Sequence, residues 1–157
     1  MLSRRAFFGA LAGGAALALT GRDVFAQQGR GGPAMTIYKS PTCGCCANWV
    51  EHAQGAGFRT TVRDLDAAAM AEVKQRYGIT ARLQSCHTAV VNGYAVEGHV
   101  PADLVQRLLR QRPRGVVGIA APGMPVGSPG MEMGARRDPY DVLAWDRRGR
   151  ITLFASR

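Results

Sequence analysis

The sequence predicts a mixed α/β domain with a leader before it and a loop and β-hairpin after it. Two patterns lead to this class. Short apolar or alternating segments, typical of strands, alternate with longer segments whose apolar residues recur at helical spacing. Gly, Pro and Asn stand between these segments, as they do in turns and at helix ends. The roughly 130 residues that follow the first 26 fit one domain with a modest core.

The domain is predicted to begin with a strand over residues 35–40, an apolar stretch that Pro41 ends. A helix follows over residues 45–56, and its predicted buried face consists of Trp49, Val50 and Ala53. Residues 58–64 alternate between apolar and polar side chains and predict a half-buried strand. The chain therefore starts with a β-α-β unit.

A second helix is predicted over residues 66–77, with Asp66 as its N-cap and Gly78 as its stop. Residues 88–93 and 94–99 then form a predicted hairpin that turns at Asn92-Gly93. Pro101 begins a third helix that extends to about Gln111. The resulting order, β-α-β-α-β-β-α, is that of a thioredoxin-like domain.

Beyond this order lies a Pro/Gly-rich loop over residues 122–133 that carries Met124, Met131 and Met133. Such loops lie on the surface. Their methionines either pack the loop onto the core or offer thioether sulfur, a soft ligand that selects Cu(I). Residues 140–145 and 150–155 predict a terminal hairpin.

The N-terminal residues 1–26 have the pattern of a cleaved export signal. Arg4 and Arg5 precede an apolar run over residues 6–19, and a small-residue cleavage site ends at Ala26. Residues 27–34 then form a flexible leader, and residues 35–157 form the domain. We expect a periplasmic location, reached by either the twin-arginine or the general secretory route. No later segment is predicted to span a membrane.

The chain carries a formal net charge of +9. Its arginines are scattered along the sequence, and no motif of stacking aromatic residues accompanies them. We therefore expect a solvated basic surface and no nucleic-acid partner.

The most informative motif is Cys43-Gly44-Cys45-Cys46, at the predicted junction of the first strand and helix. Unpaired backbone N–H groups at a helix N-terminus favour thiolate over thiol. Cys43 and Cys46 are spaced for dithiol exchange, whereas Cys45 adds a third sulfur that exchange does not require. The motif favours a soft metal, and a disulfide framework remains the alternative in an oxidising compartment.

Further donors lie at Cys86, His87 and His99. In the predicted topology the first and fourth strands run parallel, and the third runs opposite to both. The end of the first strand, the start of the third and the end of the fourth then share one edge of the sheet. Cysteines and histidines distant in sequence are therefore predicted to form one site, from which His52 on the first helix is left out.

Four segments in this order, 40–46, 85–88, 98–101 and 122–132, resemble the CopG-type family of exported copper-resistance proteins. The resemblance covers residues 35 to about 155 and implies a thioredoxin-like fold with several copper ions bridged by cysteines. It also implies a role in changing copper's oxidation state and a periplasmic copper-handling or redox partner. The ligands implied are Cys43, Cys45, Cys46 and Cys86 as thiolates, His99 and His87 as imidazoles, and Met124 and Met131 as thioethers.

Two other functions stay open. A thiol-disulfide oxidoreductase would use Cys43 as nucleophile and Cys46 as resolving thiol. A structural zinc or disulfide module would bind a partner through its basic face, although zinc rarely takes methionine ligands. Whether copper binding is accompanied by enzymatic turnover is left undecided.

Overall fold

The computed structural model describes residues 31–157, in which seven strands form one sheet and three helices pack on it. The elements are β1 Ala34–Lys39, α1 Gly44–Gly55, β2 Arg59–Asp64, α2 Ala67–Arg76, β3 Thr88–Val91, β4 Tyr94–Glu97, α3 Ala102–Gln111, β5 Val116–Ala120, β6 Asp141–Asp146 and β7 Ile151–Ser156. The predicted mixed α/β class is confirmed, while the thioredoxin-like assignment stays an interpretation of the element order. The predicted signal and the first part of the leader lie outside the described residues.

The strands follow the order β2-β1-β3-β4-β5-β6-β7 across the sheet. β1 pairs with β2 in parallel, and β3 is antiparallel to both β1 and β4. β1 and β4 therefore run in the same direction, as the sequence predicts. We call the edge where β1 and β4 finish and β3 begins the cysteine end, since the cysteine motif follows β1 there.

β5 is absent from the predicted elements. Gly118 lies in its centre, and glycine weakens the strand signal. The structure explains why glycine stands there: a β-carbon at this position would lie 2.2 Å from the Ala95 carbonyl oxygen and 2.5 Å from the Trp145 ring. β5 pairs with β4 in parallel and with β6 antiparallel, so the predicted terminal hairpin is joined to the main sheet.

β2 is an edge strand, and the prediction that it is half-buried was wrong. Its residues are exposed except for Thr60, which is half-buried. Val62 keeps 39% of its surface exposed. Alternation of apolar and polar residues indicates a strand, but it does not indicate whether another element covers the apolar face.

The predictions for α1 and α2 agree with the structure more closely than the prediction for β2. The predicted face of α1 is buried, together with Cys46. Asp66 caps α2 by accepting a hydrogen bond of 2.8 Å from the Ala69 N–H. No helix within residues 31–157 has both the length and the apolar character that a membrane crossing requires.

A buried ion pair holds the segment that leads into β3. The Glu97 carboxylate at the end of β4 is fully buried and pairs with the Lys74 ammonium group of α2. It also accepts hydrogen bonds from the Ser85 N–H at 2.7 Å and the Thr88 hydroxyl at 2.6 Å. Lys74 donates in turn to the Ser85 carbonyl at 3.1 Å. Both backbone groups of Ser85 are therefore bound by one ion pair, which fixes the residue before Cys86.

We predict that Glu97→Gln lowers the free energy of unfolding by about 3–5 kcal/mol, because it leaves the Lys74 ammonium group buried without a counter-charge. Urea unfolding followed by circular dichroism measures this change. The matched control is Asp64→Asn, which removes the partner of Lys39 in a pair whose carboxylate side chain is 53% exposed; its expected cost is about 1 kcal/mol or less. Equal costs for the two variants would contradict the prediction.

Candidate metal centre

The cysteine motif lies at the first turn of α1. Cys43 is the N-cap residue, with an extended backbone at φ −81° and ψ 98°, and its side chain makes no capping hydrogen bond. Its sulfur forms a disulfide with Cys46, while Cys45 is a free thiol 3.5 Å from the Cys43 sulfur. Cys43 is half-buried and Cys46 fully buried. The motif therefore presents one accessible sulfur of a disulfide beside a free thiol.

Cys86 reaches the same place from the segment before β3. The sulfurs of Cys43, Cys45, Cys46 and Cys86 all lie within 4.8 Å of one another. Because Thr88 and Glu97 pair across the β3–β4 hairpin, the residues just outside this pair are also close. The Cys86 sulfur is 3.0 Å from His99 Nε2 and 3.4 Å from His87 Nδ1. The structure thus brings together all the cysteine and histidine donors that the sequence places at one edge.

The hydrogen bond that His99 makes to the loop fixes which of its nitrogens is free. His99 Nδ1 lies 2.8 Å from the Pro129 carbonyl oxygen, which only accepts hydrogen bonds. Nδ1 therefore carries the hydrogen, and the lone pair of Nε2 faces the Cys86 sulfur. The Pro129 carbonyl orients the His99 ring, a contact that the sequence pattern did not reveal because a backbone group has no residue signature.

His87 is fully buried between two other rings. Its ring centroid is 4.6 Å from that of Trp49 and 5.0 Å from that of His99. Its Nε2 has no hydrogen-bond partner among the described residues. Burial sets the pKa of His87 well below its ordinary value and also lowers the pKa of His99. Both imidazoles are therefore neutral near pH 7 and retain lone pairs for a metal.

The Cys86 thiol holds its proton at neutral pH. Burial, and next the neighbouring Cys45, raise its pKa to about 11. A thiol in these surroundings is a poor nucleophile on its own, since the thiolate is the reactive form. A soft cation that binds here must displace this proton, and its charge then compensates the buried thiolate.

The Pro/Gly loop closes over the site at two glycines. A β-carbon on Gly130 would lie 2.8 Å from both the Cys45 carbonyl oxygen and the Trp49 nitrogen, so the loop backbone rests directly on α1. Gly123 receives a hydrogen bond from the Ser85 hydroxyl and donates one of 2.9 Å to the Gln84 carbonyl. Met131 follows the first of these glycines and Met124 the second. Met131 is half-buried, whereas Met124 is 55% exposed.

His52 lies apart from this cluster, as predicted. Its Nε2 accepts a 3.0 Å hydrogen bond from the Ala102 N–H at the start of α3. This bond occupies the nitrogen that would otherwise serve as a ligand. The residues that sequence reasoning missed are instead Lys74 and Glu97, which fix the backbone before Cys86. A charged residue at the end of the otherwise apolar β4 was the available signal for Glu97.

Comparison with known proteins identifies the family. Residues 83–131 match the family model described as "Protein of unknown function, DUF411", a span that contains Cys86, both histidines of the cluster, Met124 and Met131. No curated protein matches the chain. Two solved structures of copper resistance protein CopG, forms 1 and 2, share 42% sequence identity with it. Each match covers 80% of this chain and 98% of the other, with TM-scores of 0.74 and 0.73 respectively. The chain therefore belongs to the CopG-type copper-resistance family.

Proposed function

We propose that this protein binds copper at the cysteine end and holds it there through sulfur and imidazole ligands, as a copper-resistance protein. The four sulfurs within 4.8 Å of one another carry the proposal. Four donors this close to one another suit one or more ions of a metal that prefers sulfur. The ligands proposed are Cys43, Cys45, Cys46 and Cys86, with His99 and His87 as nitrogen donors.

The chemistry of these donors fits copper. Thiolate and thioether select Cu(I), while imidazole also suits Cu(II). A mixed set therefore supports both oxidation states, which is the basis for proposing that copper changes oxidation state at this site. Four thiolates are able to bridge several ions, as the family resemblance implies. Zinc would accept the thiolates and imidazoles but makes little use of methionine.

The site has two states, one with the Cys43–Cys46 disulfide formed and one with it reduced. In the disulfide form neither sulfur is a thiolate, and only Cys45 and Cys86 remain as free thiols. Reduction by an external thiol adds two electrons and two protons and frees both sulfurs. We propose that the reduced form is the copper-binding form, and that a periplasmic reductant or copper-handling protein supplies it with electrons or metal.

Met124 and Met131 complete the proposed ligand set. Each follows a glycine that packs on the site: Gly123 on residues 84–85, and Gly130 on the first turn of α1. A loop tied down at both glycines keeps these thioethers near the sulfur cluster, and the exposure of Met124 allows it to receive copper from solvent. The proposed compartment is the periplasm, reached through the export signal at residues 1–26.

We predict that His99→Gln weakens Cu(I) binding by at least about tenfold, since it removes a nitrogen donor beside Cys86. Titration of the reduced protein against a chromophoric Cu(I) chelator measures the affinity. His52→Gln is the matched control because His52 lies outside the cluster, and it should bind copper as the unaltered protein does. Equal loss in both variants would show that the change in affinity does not come from the ligand set.

A second prediction concerns the disulfide. Protein with the Cys43–Cys46 disulfide intact should bind fewer copper ions than protein treated with a thiol reductant, because two sulfur donors are withheld. Metal analysis after gel filtration under argon gives the copper content of each form. Cys43→Ser combined with Cys46→Ser should hold the low content whether or not reductant is present. A full copper content in the disulfide form would remove these two residues from the ligand set.

The disulfide also favours a second candidate function, thiol-disulfide exchange. Cys43 is accessible and Cys46 is buried, which suits a nucleophile and a resolving thiol. In the reduced protein, the Cys43 thiolate would attack a substrate disulfide, form a mixed disulfide and release one substrate thiol. Cys46 would then displace the second thiol and regenerate the Cys43–Cys46 disulfide.

Insulin reduction in the presence of a copper chelator distinguishes the two candidates. An oxidoreductase should reduce insulin without metal, keep this activity in Cys86→Ser, and lose turnover in Cys46→Ser with a trapped mixed disulfide. A copper-binding protein should instead show no insulin reduction above the rate measured with reductant alone. Turnover without metal would assign the motif to exchange chemistry.

A further inference from the structure

The end of the molecule opposite the cysteine end gathers arginines that are scattered in the sequence. These come from the last residues of α2, the α3–β5 loop and the β6–β7 turn. β4 and β5 run in parallel, and Val116 at the start of β5 pairs with Asp146 at the end of β6. The three segments therefore meet at one end. We call this surface the basic pole; its residues are Arg76, Arg112, Arg114, Arg147, Arg148 and Arg150, all exposed.

Few of the arginines at the basic pole are balanced by a carboxylate. The other ion pairs of the described residues lie outside the pole and are Lys39–Asp64, Lys74–Glu97, Arg136–Asp138 and Arg157–Asp103. At the basic pole only Arg150 is paired, with Asp146. Within residues 31–157 the other guanidinium groups of the pole make no ion pair or hydrogen bond that the structure records. Five of the six arginines of the pole are therefore without an ion pair among the described residues, which leaves a local excess of positive charge there.

The surface of the basic pole is concave. An open concavity of about 710 Å³ lies between α2, the β3–β4 turn and the β6–β7 turn, and Arg76, Arg147 and Arg148 line it. Gly78, Gly93 and Gly149 form part of its wall, so backbone is accessible there. Guanidinium groups bind phosphate oxygens in a bidentate manner, which makes a phosphate-bearing headgroup a suitable occupant.

The absence of apolar anchors at this pole argues against a protein partner. Specific protein interfaces depend on buried aromatic or aliphatic side chains near their centre. In the described part of the chain, the large hydrophobic residues left exposed are Val62, Met124, Met133 and Leu153, and none lies in these three segments. Asp146 and the half-buried Tyr77, Val116 and Val117 also line the concavity, but arginines dominate the exposed surface around it. A surface with many anionic groups and little need for shape complementarity, such as a lipid bilayer, matches such a pole better.

The chain enters the domain at this same pole. β1 begins at Ala34, and Met35 pairs with Val91 beside the β3–β4 turn. The basic pole therefore lies at the opposite end of the sheet from the cysteine end, so a surface bound at the pole leaves the cysteine end accessible. We propose that the basic pole binds the anionic phospholipid headgroups of a membrane surface, with the cysteine end directed away from it. The proposal goes beyond copper binding and does not depend on it.

Vesicle sedimentation of the chain over residues 27–157, which follows the predicted signal, tests this proposal. Vesicles of phosphatidylcholine alone are compared with vesicles in which about a third of the lipid is phosphatidylglycerol. The ratio of the two affinities isolates the contribution of the anionic headgroups, since any other affinity for the bilayer is the same for both. Arg147→Ser with Arg148→Ser should lower that ratio about 20- to 30-fold, at about fivefold for each arginine. Raising the salt concentration should lower the ratio for the unaltered protein and, because four arginines of the pole remain, lower it less steeply for the variant.

Arg136→Ser with Arg137→Ser is the matched control, since it removes the same charge from exposed arginines outside the basic pole. It should leave the ratio close to that of the unaltered protein. An equal loss in both double variants would show that net charge alone drives binding, and would overturn the proposal. So would the absence of any preference for the anionic vesicles, or a preference for an acidic polypeptide or duplex DNA over them at the same salt concentration.

Discussion

The pairing of β3 with β4 is the constraint on which the site depends. It places Thr88 opposite Glu97, and so brings the residues before β3 beside the residues after β4. Cys86 and His99 come within 3.0 Å of each other as a result. β1 pairs with the other side of β3 and delivers the cysteine motif to the same edge. Three segments distant in sequence thus meet because three strands are hydrogen-bonded in one order.

The protonation states of the residues at the cysteine end suit the binding of a cation. Burial keeps His87 and His99 neutral, and burial also keeps Cys86 protonated. The site is therefore nearly uncharged before a metal binds, which limits the cost of burying it. Of the buried charges close by, Lys74 and Glu97 neutralise each other, and Lys39 is paired with Asp64. Thiolate charge then develops only when a cation is there to compensate it.

Local sequence signals predicted much of this fold because their causes are local. Asp66 caps α2, and Asn92 and Gly93 both take the positive φ values that a tight hairpin turn requires, 47° and 82°. The prediction missed β5 because its central residue, Gly118, is required by close contact with Ala95 and Trp145, which are distant in sequence. Glu97 and Lys74, which are in contact, are likewise separated in sequence by the α2–β3 connection and by β3. Neither the contacts of Gly118 nor the partner of Glu97 can be inferred from residues nearby in sequence.

The distance between the two ends of the sheet allows a protein with a net charge of +9 to carry the proposed copper site. Strands β1 and β7 have six residues each, so the two ends of the sheet are about 20 Å apart at about 3.3 Å per residue. This distance exceeds the Debye length of about 8 Å at physiological ionic strength. The unpaired arginines of the basic pole are therefore largely screened from the cysteine end. Separation of the two ends lets a cationic surface and the proposed copper site coexist in one small domain.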